Sequence, residues 1–277
     1  MKLSVGFSSA VPESPIWLVK KGHIDKALKH FSGSTEMEEV QAIICDLAAT
    51  GEDGKAPAMF SFGKRVVFCG IALCVFQQVV GINTVLYYGP TIFETMGYHS
   101  DAAFLCTLIA CMVNLMSTMV VVLVVDKVGR KPLLIFGGLT MGLSMLVLGV
   151  LFHANQTGVF ALLAICTFLA GFAVSFGPVV WIMLTEIYPA PIKAKAMSLA
   201  VAAQWIANLL VSATFPMMLG NDTLNATWNH GFAFWVYGGC GIAAAFIVMR
   251  WVPETRGVDS DMLAALWRRE DVAAATR

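Results

Sequence analysis

Charge is what this sequence has least of. Asp, Glu, Lys and Arg make up 13% of its 277 residues, where a soluble domain carries about 25%. Apolar residues make up 58% and mean hydropathy is +0.74, so the chain reads as a polytopic membrane protein. Its eighteen bases and eighteen acids cancel, a balance that says little about partners, and no nucleic acid is expected. The seven cysteines (Cys45, Cys69, Cys74, Cys106, Cys111, Cys166, Cys240) include no C-x-x-C pair, and six lie in or beside apolar runs. They read as buried, inert thiols rather than a disulfide framework or a metal site. A secretory signal is missing as well. Residues 1–11 hold one lysine and too short an apolar run to be a signal or a span.

Apolar length, in contrast, is abundant. Six candidate spans fall at about 66–88, 103–125, 133–152, 159–185, 196–218 and 232–249, each near the 17–25 residues that cross roughly 30 Å of hydrocarbon. The fourth contains Gly177-Pro178, where a kink or break is expected. Residues 12–65 are polar, with apolar positions at helical spacing (Ile24, Ala27, Leu28 and Phe31; Met37, Val40, Ile44 and Leu47) and a Ser34/Thr35 cap. They predict two or three short surface helices.

Bases are absent from every second connection. The connections at 89–102, 153–158 and 219–231 hold none of the eighteen Lys and Arg residues. Lys127, Arg130, Lys131, Lys193 and Lys195 lie in the others, and the remaining thirteen lie in the two terminal segments. The positive-inside rule then puts both termini in the cytoplasm. Three Asn-x-Thr sequons (Asn155, Asn221, Asn225) fall in the outside loops and read as chance matches.

No Asp, Glu, Lys or Arg falls within any span. That leaves no nucleophile–base or acid–base pair for an embedded enzyme, and no titratable group at depth for proton coupling. The spans carry amides, hydroxyls and aromatics instead. Gln77, Gln78, Asn83, Tyr87 and Tyr88 lie on the first, and Asn114, Ser117 and Thr118 on the second. Trp181 lies on the fourth, and Gln204, Trp205, Asn208 and Ser212 on the fifth. Gln204, Asn208 and Ser212 are spaced i, i+4, i+8 and share one helix face. Amides and hydroxyls both donate and accept, and an indole packs on the C–H face of a pyranose, so the set suits a neutral polyhydroxylated ligand. The alternative is hydrogen bonding between neighbouring helices.

At the basic rim, each loop pairs an acid with a base. Asp126-Lys-Val-Gly-Arg130-Lys131 joins spans two and three, Glu186 to Lys193 joins four and five, and Glu254 with Arg256 follows span six. Ion pairs between these loops would clamp the helix ends. The alternative is ordinary flanking charge, which explains the bases but not the acids.

These motifs resemble the C-terminal half of the sugar porters of the major facilitator superfamily. The matching residues are Pro-Glu-Ser-Pro-x-Trp at 12–17, Gln-Gln-x-x-Gly-x-Asn at 77–83 with Tyr87-Tyr88, and Asp-Lys-x-Gly-Arg-Lys at 126–131. Gly-Pro-x-x-Trp at 177–181 with Glu186, Gln204-Trp205, and Pro-Glu-Thr-x-Gly at 253–257 complete the set. The runs at 201–208 and 214–218 are most similar to bacterial D-xylose–proton symporters. The resemblance implies sugar contacts by Gln77, Gln78, Asn83, Tyr87, Asn114, Phe172, Gly177, Trp181, Gln204 and Trp205. It also implies an inward-side charge network through Arg130, Glu186 and Lys193, and an intracellular helical domain near 12–60. Ile16 stands where the family usually has arginine, and Lys193-Ala194 replaces the common Arg-Gly. Lysine cannot make the planar bidentate pair that arginine does.

The expectation is an all-α membrane protein whose six transmembrane helices form one half, the C-terminal bundle, of a major facilitator fold. Residues 1–11 would be the remnant of a truncated helix, 12–65 a cytoplasmic helical segment, 66–252 the bundle and 253–277 a cytoplasmic tail. The expected activity is alternating-access pentose or hexose transport in the inner membrane. It would use no cofactor, the proton gradient driving a full-length parent, and would need a separate N-terminal half. The competing expectations are a non-transporting truncated or split-gene fragment, and a membrane sugar sensor.

Overall fold

The computed structural model describes residues 58–156 and 158–257, together with Leu18 and Trp267. The surface helices expected between 12 and 57, the segment 1–11 and most of the tail lie outside the described residues. The chain divides into Met1–Ala56 and Pro57–Arg277, and the second unit holds the bundle.

Among the described residues the structure is all helix. α1 (Lys64–Val79) and α2 (Ile82–Thr95) make one broken span, followed by α3 (Ser100–Val128) and α4 (Arg130–His153). α5 (Val159–Ala173) and α6 (Phe176–Ile187) make a second broken span. α7 (Ala190–Leu219), the short α8 (Asp222–Trp228) and α9 (Phe232–Trp251) complete the bundle. Six units among the described residues are long and apolar enough to cross a bilayer: Lys64–Thr95, Ser100–Val128, Arg130–His153, Val159–Ile187, Ile192–Leu219 and Phe232–Trp251. The six expected spans are all there. Most overrun their expected ends by a few residues. The segment 219–231, read as a loop, contains α8. Asn221 caps it, its Oδ1 accepting from the Leu224 N–H at 3.0 Å.

Each broken span has a chemical cause. α1 stops where Gly81 adopts φ 91°, ψ 20°, a left-handed conformation that costs glycine nothing. A Cβ at Gly81 would also come within 2.8 Å of the Tyr237 ring. The second break lies at Val174-Ser175, upstream of the Gly177-Pro178 expected to carry it. Proline displaces the carbonyl four residues before it, which for Pro178 is that of Val174. Pro178 itself sits in the first turn of α6, where a missing N–H is harmless. The C-terminal end of α5 closes by Val174 N–H to Ala170 O (3.0 Å) and Ser175 N–H to Phe172 O (3.1 Å). The Ser175 hydroxyl turns back to the Gly171 carbonyl at 2.6 Å, and only glycine at 137 leaves room for it.

Close packing relies on small residues, as expected where lipid tails remove the hydrophobic drive between helices. The most extensive contact pairs α4 with α9. There Gly138 and Gly142 face Ala245, Ile242 and Gly241, and a Cβ on Gly142 would sit 2.8 Å from the Ile242 backbone nitrogen. α1 lies along α7, while α5 packs between α4 and α3. Of the described cysteines, Cys69, Cys74 and Cys106 are buried and Cys166 and Cys240 half-buried. Cys111 is exposed, which corrects the reading of all the span thiols as interior: α3 is apolar all round, so its pattern gives no facing.

Candidate functional site

The site is built on the two breaks. Gln77, in the last turn of α1, is 3% exposed. Its Nε2 donates to the carbonyls of Phe176 (2.8 Å) and Gly177 (3.2 Å) in the first turn of α6. One side-chain amide thus joins both interrupted spans. Its Oε1 is buried with no donor. Opposite, Phe172 lies against Gly177, where a Cβ would meet the ring at 3.3 Å.

A second set of polar groups closes on itself. Asn83, at the start of α2, donates from Nδ2 to Gln78 Oε1 (2.6 Å) and to Asn208 Oδ1 (2.9 Å) on α7. The Ser212 hydroxyl donates to the same Asn208 oxygen at 3.1 Å. The Tyr88 hydroxyl donates to the Ser212 carbonyl at 3.1 Å, from a residue whose φ −108°, ψ 15° kinks α2 ahead of Pro90. For Gln78 and Asn83, then, the alternative of bonding between helices holds at these atoms. The stripe on α7 is real: Gln204 and Asn208 are both buried.

Two more acceptors stay open. Gln204 Oε1 and Asn114 Oδ1 are buried without a hydrogen-bond partner. An unmade hydrogen bond at such an oxygen costs about 1–3 kcal/mol. Tyr87 (58% exposed), Trp181 (39%) and Trp205 (62%) stand on uncovered faces of α2, α6 and α7. No hydrogen bond or ring contact among the described residues links these three, or the Asn114 side chain, to the Gln77–Asn208 cluster.

The basic rim carries a separate network. The Arg130 Nη2 meets Glu186 Oε1 at 3.0 Å and Asp126 Oδ1 at 3.1 Å. The other Glu186 oxygen accepts the Thr255 hydroxyl at 2.5 Å, and Arg256 donates to the Lys127 carbonyl at 2.6 Å. An ion pair between loops is therefore present, as expected. Two expected members differ. Glu254 makes no ion pair among the described residues and instead caps α4, accepting from the N–H groups of Arg130 (3.0 Å) and Lys131 (3.1 Å). Its Oε1 also accepts from the N–H groups of Thr255 and Arg256, each at 3.1 Å. Lys193 is half-buried and joins no ion pair among the described residues; its loop is shorter than expected, because α7 begins at Ala190. Thr255 was missed. Its signal was the threonine of Pro-Glu-Thr, a hydroxyl within one residue of an acid.

The opposite end holds the acids Glu94, Asp101 and Asp222 but no Lys or Arg, and it is rich in aromatics. His153 lies between Trp228 and Trp235, with ring centroids 6.2 and 5.7 Å away. All three sequon asparagines serve the fold here. Besides the Asn221 cap, Asn155 accepts from Asn229 at 2.6 Å and Asn225 donates to the Leu219 carbonyl at 2.8 Å.

A family model described as "Sugar (and other) transporter" matches residues 3–267. The chain belongs to this sugar transporter family. Among similar proteins of the family is the D-xylose-proton symporter of Escherichia coli (strain K12), 44% identical over 264 residues, covering 94% of this chain and 53% of that one. The glucose facilitated diffusion protein of Zymomonas mobilis is 40% identical over 262 residues, covering 94% and 55%. The proton:xylose symporter XylE, solved bound to 6-bromo-6-deoxy-D-glucose, superposes with a TM-score of 0.78 at 44% identity, over 94% of this chain and 55% of that chain. The chain spans about half the length of the curated relatives it matches.

Proposed function

We propose that this chain is the C-terminal, sugar-holding bundle of an alternating-access porter for a pentose or hexose. The observation that carries the reading is three amide oxygens within the spans that are buried and unpartnered among the described residues: Gln77 Oε1, Gln204 Oε1 and Asn114 Oδ1. A ligand that satisfies them must donate hydrogen bonds. It must also be neutral, because the spans hold no acid or base to balance a charge. A sugar meets both demands, and the exposed indoles of Trp181 and Trp205 offer faces for its C–H surface. Among the expected contacts, Tyr87, Phe172 and Gly177 shape the pocket, while Gln78 and Asn83 hold it together.

Proton coupling would reside in an N-terminal half, since no carboxyl lies within these spans. The network of Asp126, Arg130, Glu186, Thr255 and the Glu254 cap would form this bundle's share of a cytoplasmic gate. The distribution of bases supports reading 12–65 and 253–277 as cytoplasmic. Such a bundle rocks against a second one, so the chain alone does not transport.

The test is uptake of labelled D-xylose and D-glucose by transporter-deficient cells, with membrane level checked. Uptake that needs a co-expressed N-terminal half of a related porter, and that Gln204→Leu weakens by lowering sugar affinity, is the expected result. Uptake by the chain alone, lost in Trp181→Ala, would overturn the need for a second half. No uptake in either setting from a well-inserted chain would leave a non-transporting fragment.

A further inference from the structure

Tyr237, near the start of α9, is buried, and its ring lies against Gly81 at the break between α1 and α2. Its hydroxyl stands beside the hydroxyls of Thr84 on α2 and Thr214 on α7. Thr84 is fully buried. Beyond this trio, neither the Thr84 nor the Tyr237 oxygen has a hydrogen-bond partner among the described residues. Thr214 gives its own proton to the Leu210 carbonyl at 2.7 Å, so toward Tyr237 it can only accept. One order then satisfies all three: Thr84 donates to Tyr237, and Tyr237 to Thr214. A second grip on α2 lies one turn further along. The fully buried Phe215 ring of α7 stands 6.3 Å from Tyr237 and 5.4 Å from Tyr88, measured between centroids.

Gly81, Thr84 and Tyr88 fall at i, i+3 and i+7, so these grips share one face of α2. Asn83 and Tyr87, at i and i+4, fall on the adjoining face, which carries two of the expected sugar contacts. Because α2 continues from α1 through a glycine at φ 91°, its angle depends on what holds the first face. We propose that Tyr237 is a positioning residue for the sugar site. Seated behind the break, it fixes the setting of α2, and with it the placing of Asn83 and Tyr87, without touching the sugar. A phenylalanine would cover Gly81 equally well. The hydroxyl, costly to bury unless paired, acts only through its bonds to α2 and α7. The consequence for sugar rests on the transport reading above; the hold on α2 does not.

Two measurements separate the hold on α2 from transport. Hydrogen exchange on the full chain in nanodiscs reports α2 directly. Tyr237→Phe and Thr84→Val are each expected to raise exchange across residues 82–95 relative to α5. The double variant goes no further than either single one, and Thr84→Ser keeps the protection of the parent. In the porter assembled with an N-terminal half of a relative, uptake of labelled D-xylose and D-glucose gives KM and kcat. Tyr237→Phe and Thr84→Val raise KM roughly two- to tenfold, the worth of one neutral hydrogen bond, and leave kcat close to the parent value. Ile165→Ala opens a cavity at a buried position of α5, lowers the melting point at least as far, and leaves KM unchanged. Unaltered exchange at 82–95 in both variants, or additive effects in the pair, would overturn the hold on α2. Raised exchange with an unchanged KM would overturn the positioning of the site and leave a structural brace. No uptake by the parent porter would sink the transport reading and the role at the site together, while the exchange result on α2 would still stand by itself.

Discussion

Replacing Glu254 by glutamine removes one charge and little volume, and so isolates the cap on α4. The carboxylate accepts four backbone N–H groups, two of them the first donors of a 24-residue helix whose N-cap, Gly129, has no side chain to offer. A glutamine keeps one oxygen but turns an NH₂ toward the Lys131 N–H, donor against donor. The loss of one charge-assisted bond is about 1.5–3 kcal/mol. The anion's interaction with the helix dipole adds about 0.3–1 kcal/mol. At ~2–4 °C per kcal/mol for a domain of this size, the melting point falls by roughly 4–16 °C. The assay is thermal unfolding in detergent, followed by tryptophan fluorescence. Gly129→Ala supplies the cross-check. At φ 102°, ψ 160° any side chain costs about 1–3 kcal/mol, and a Cβ there would also stand 2.9 Å from Glu254 Oε2. In a Glu254→Ala background that clash is gone, so Gly129→Ala should cost less than it does in the parent. A Glu254→Gln melt within about 1 °C of the parent, or strictly additive costs for the pair, would refute the cap as a source of stability.

Three further outcomes are expected. Arg130→Lys keeps the charge but loses the fork between Asp126 and Glu186, lowering stability by about 1 kcal/mol in the same melt, because Asp126 is largely exposed and contributes little. Gly142→Ala forces a Cβ against the Ile242 backbone across the α4–α9 seam and costs about 1–3 kcal/mol. Gly239→Ala on α9, where a Cβ meets nothing, stabilises by up to about 1 kcal/mol from helix propensity alone; equal effects at 142 and 239 would refute the close crossing. Gln204→Leu removes an unpartnered buried acceptor, so its melting point stays or rises, while sugar affinity in the assembled porter falls by about 1–3 kcal/mol.

Span number, order and the basic rim were legible because they depend on sums over many residues, apolar length and the placement of Lys and Arg. The glycine and proline punctuation was legible as chemistry but not as position. Pro178 announces a break, yet its ring acts on the carbonyl four residues back, so the chain opens at Val174-Ser175. Glu254 was legible as part of the rim and not as a cap. Its partners, the N–H groups of Arg130 and Lys131, are 124 and 123 residues away, and backbone donors leave no mark in a sequence. Lys193 shows the converse: its charge is visible in the chain, but the early start of α7 sets it apart from the acids expected to meet it.

The hardest distinction was among the amides, which look alike in sequence and differ in the structure by what is left over. In the cluster of Gln78, Asn83, Asn208, Ser212 and Tyr88, donors and acceptors answer one another across α1, α2 and α7. Such a set holds the broken first span against α7, and truncating it should loosen the fold. Gln204 and Asn114 each present a buried oxygen that nothing answers, an arrangement that costs stability and makes sense when a ligand completes it. Gln77 belongs to both groups. Its nitrogen ties α1 to the first turn of α6, and its oxygen stays open. A hydroxyl donated to that oxygen polarises the amide and strengthens the bonds its nitrogen makes. On the proposed reading, sugar occupancy would then be felt directly at the joint between the two interrupted spans, without any side chain having to move.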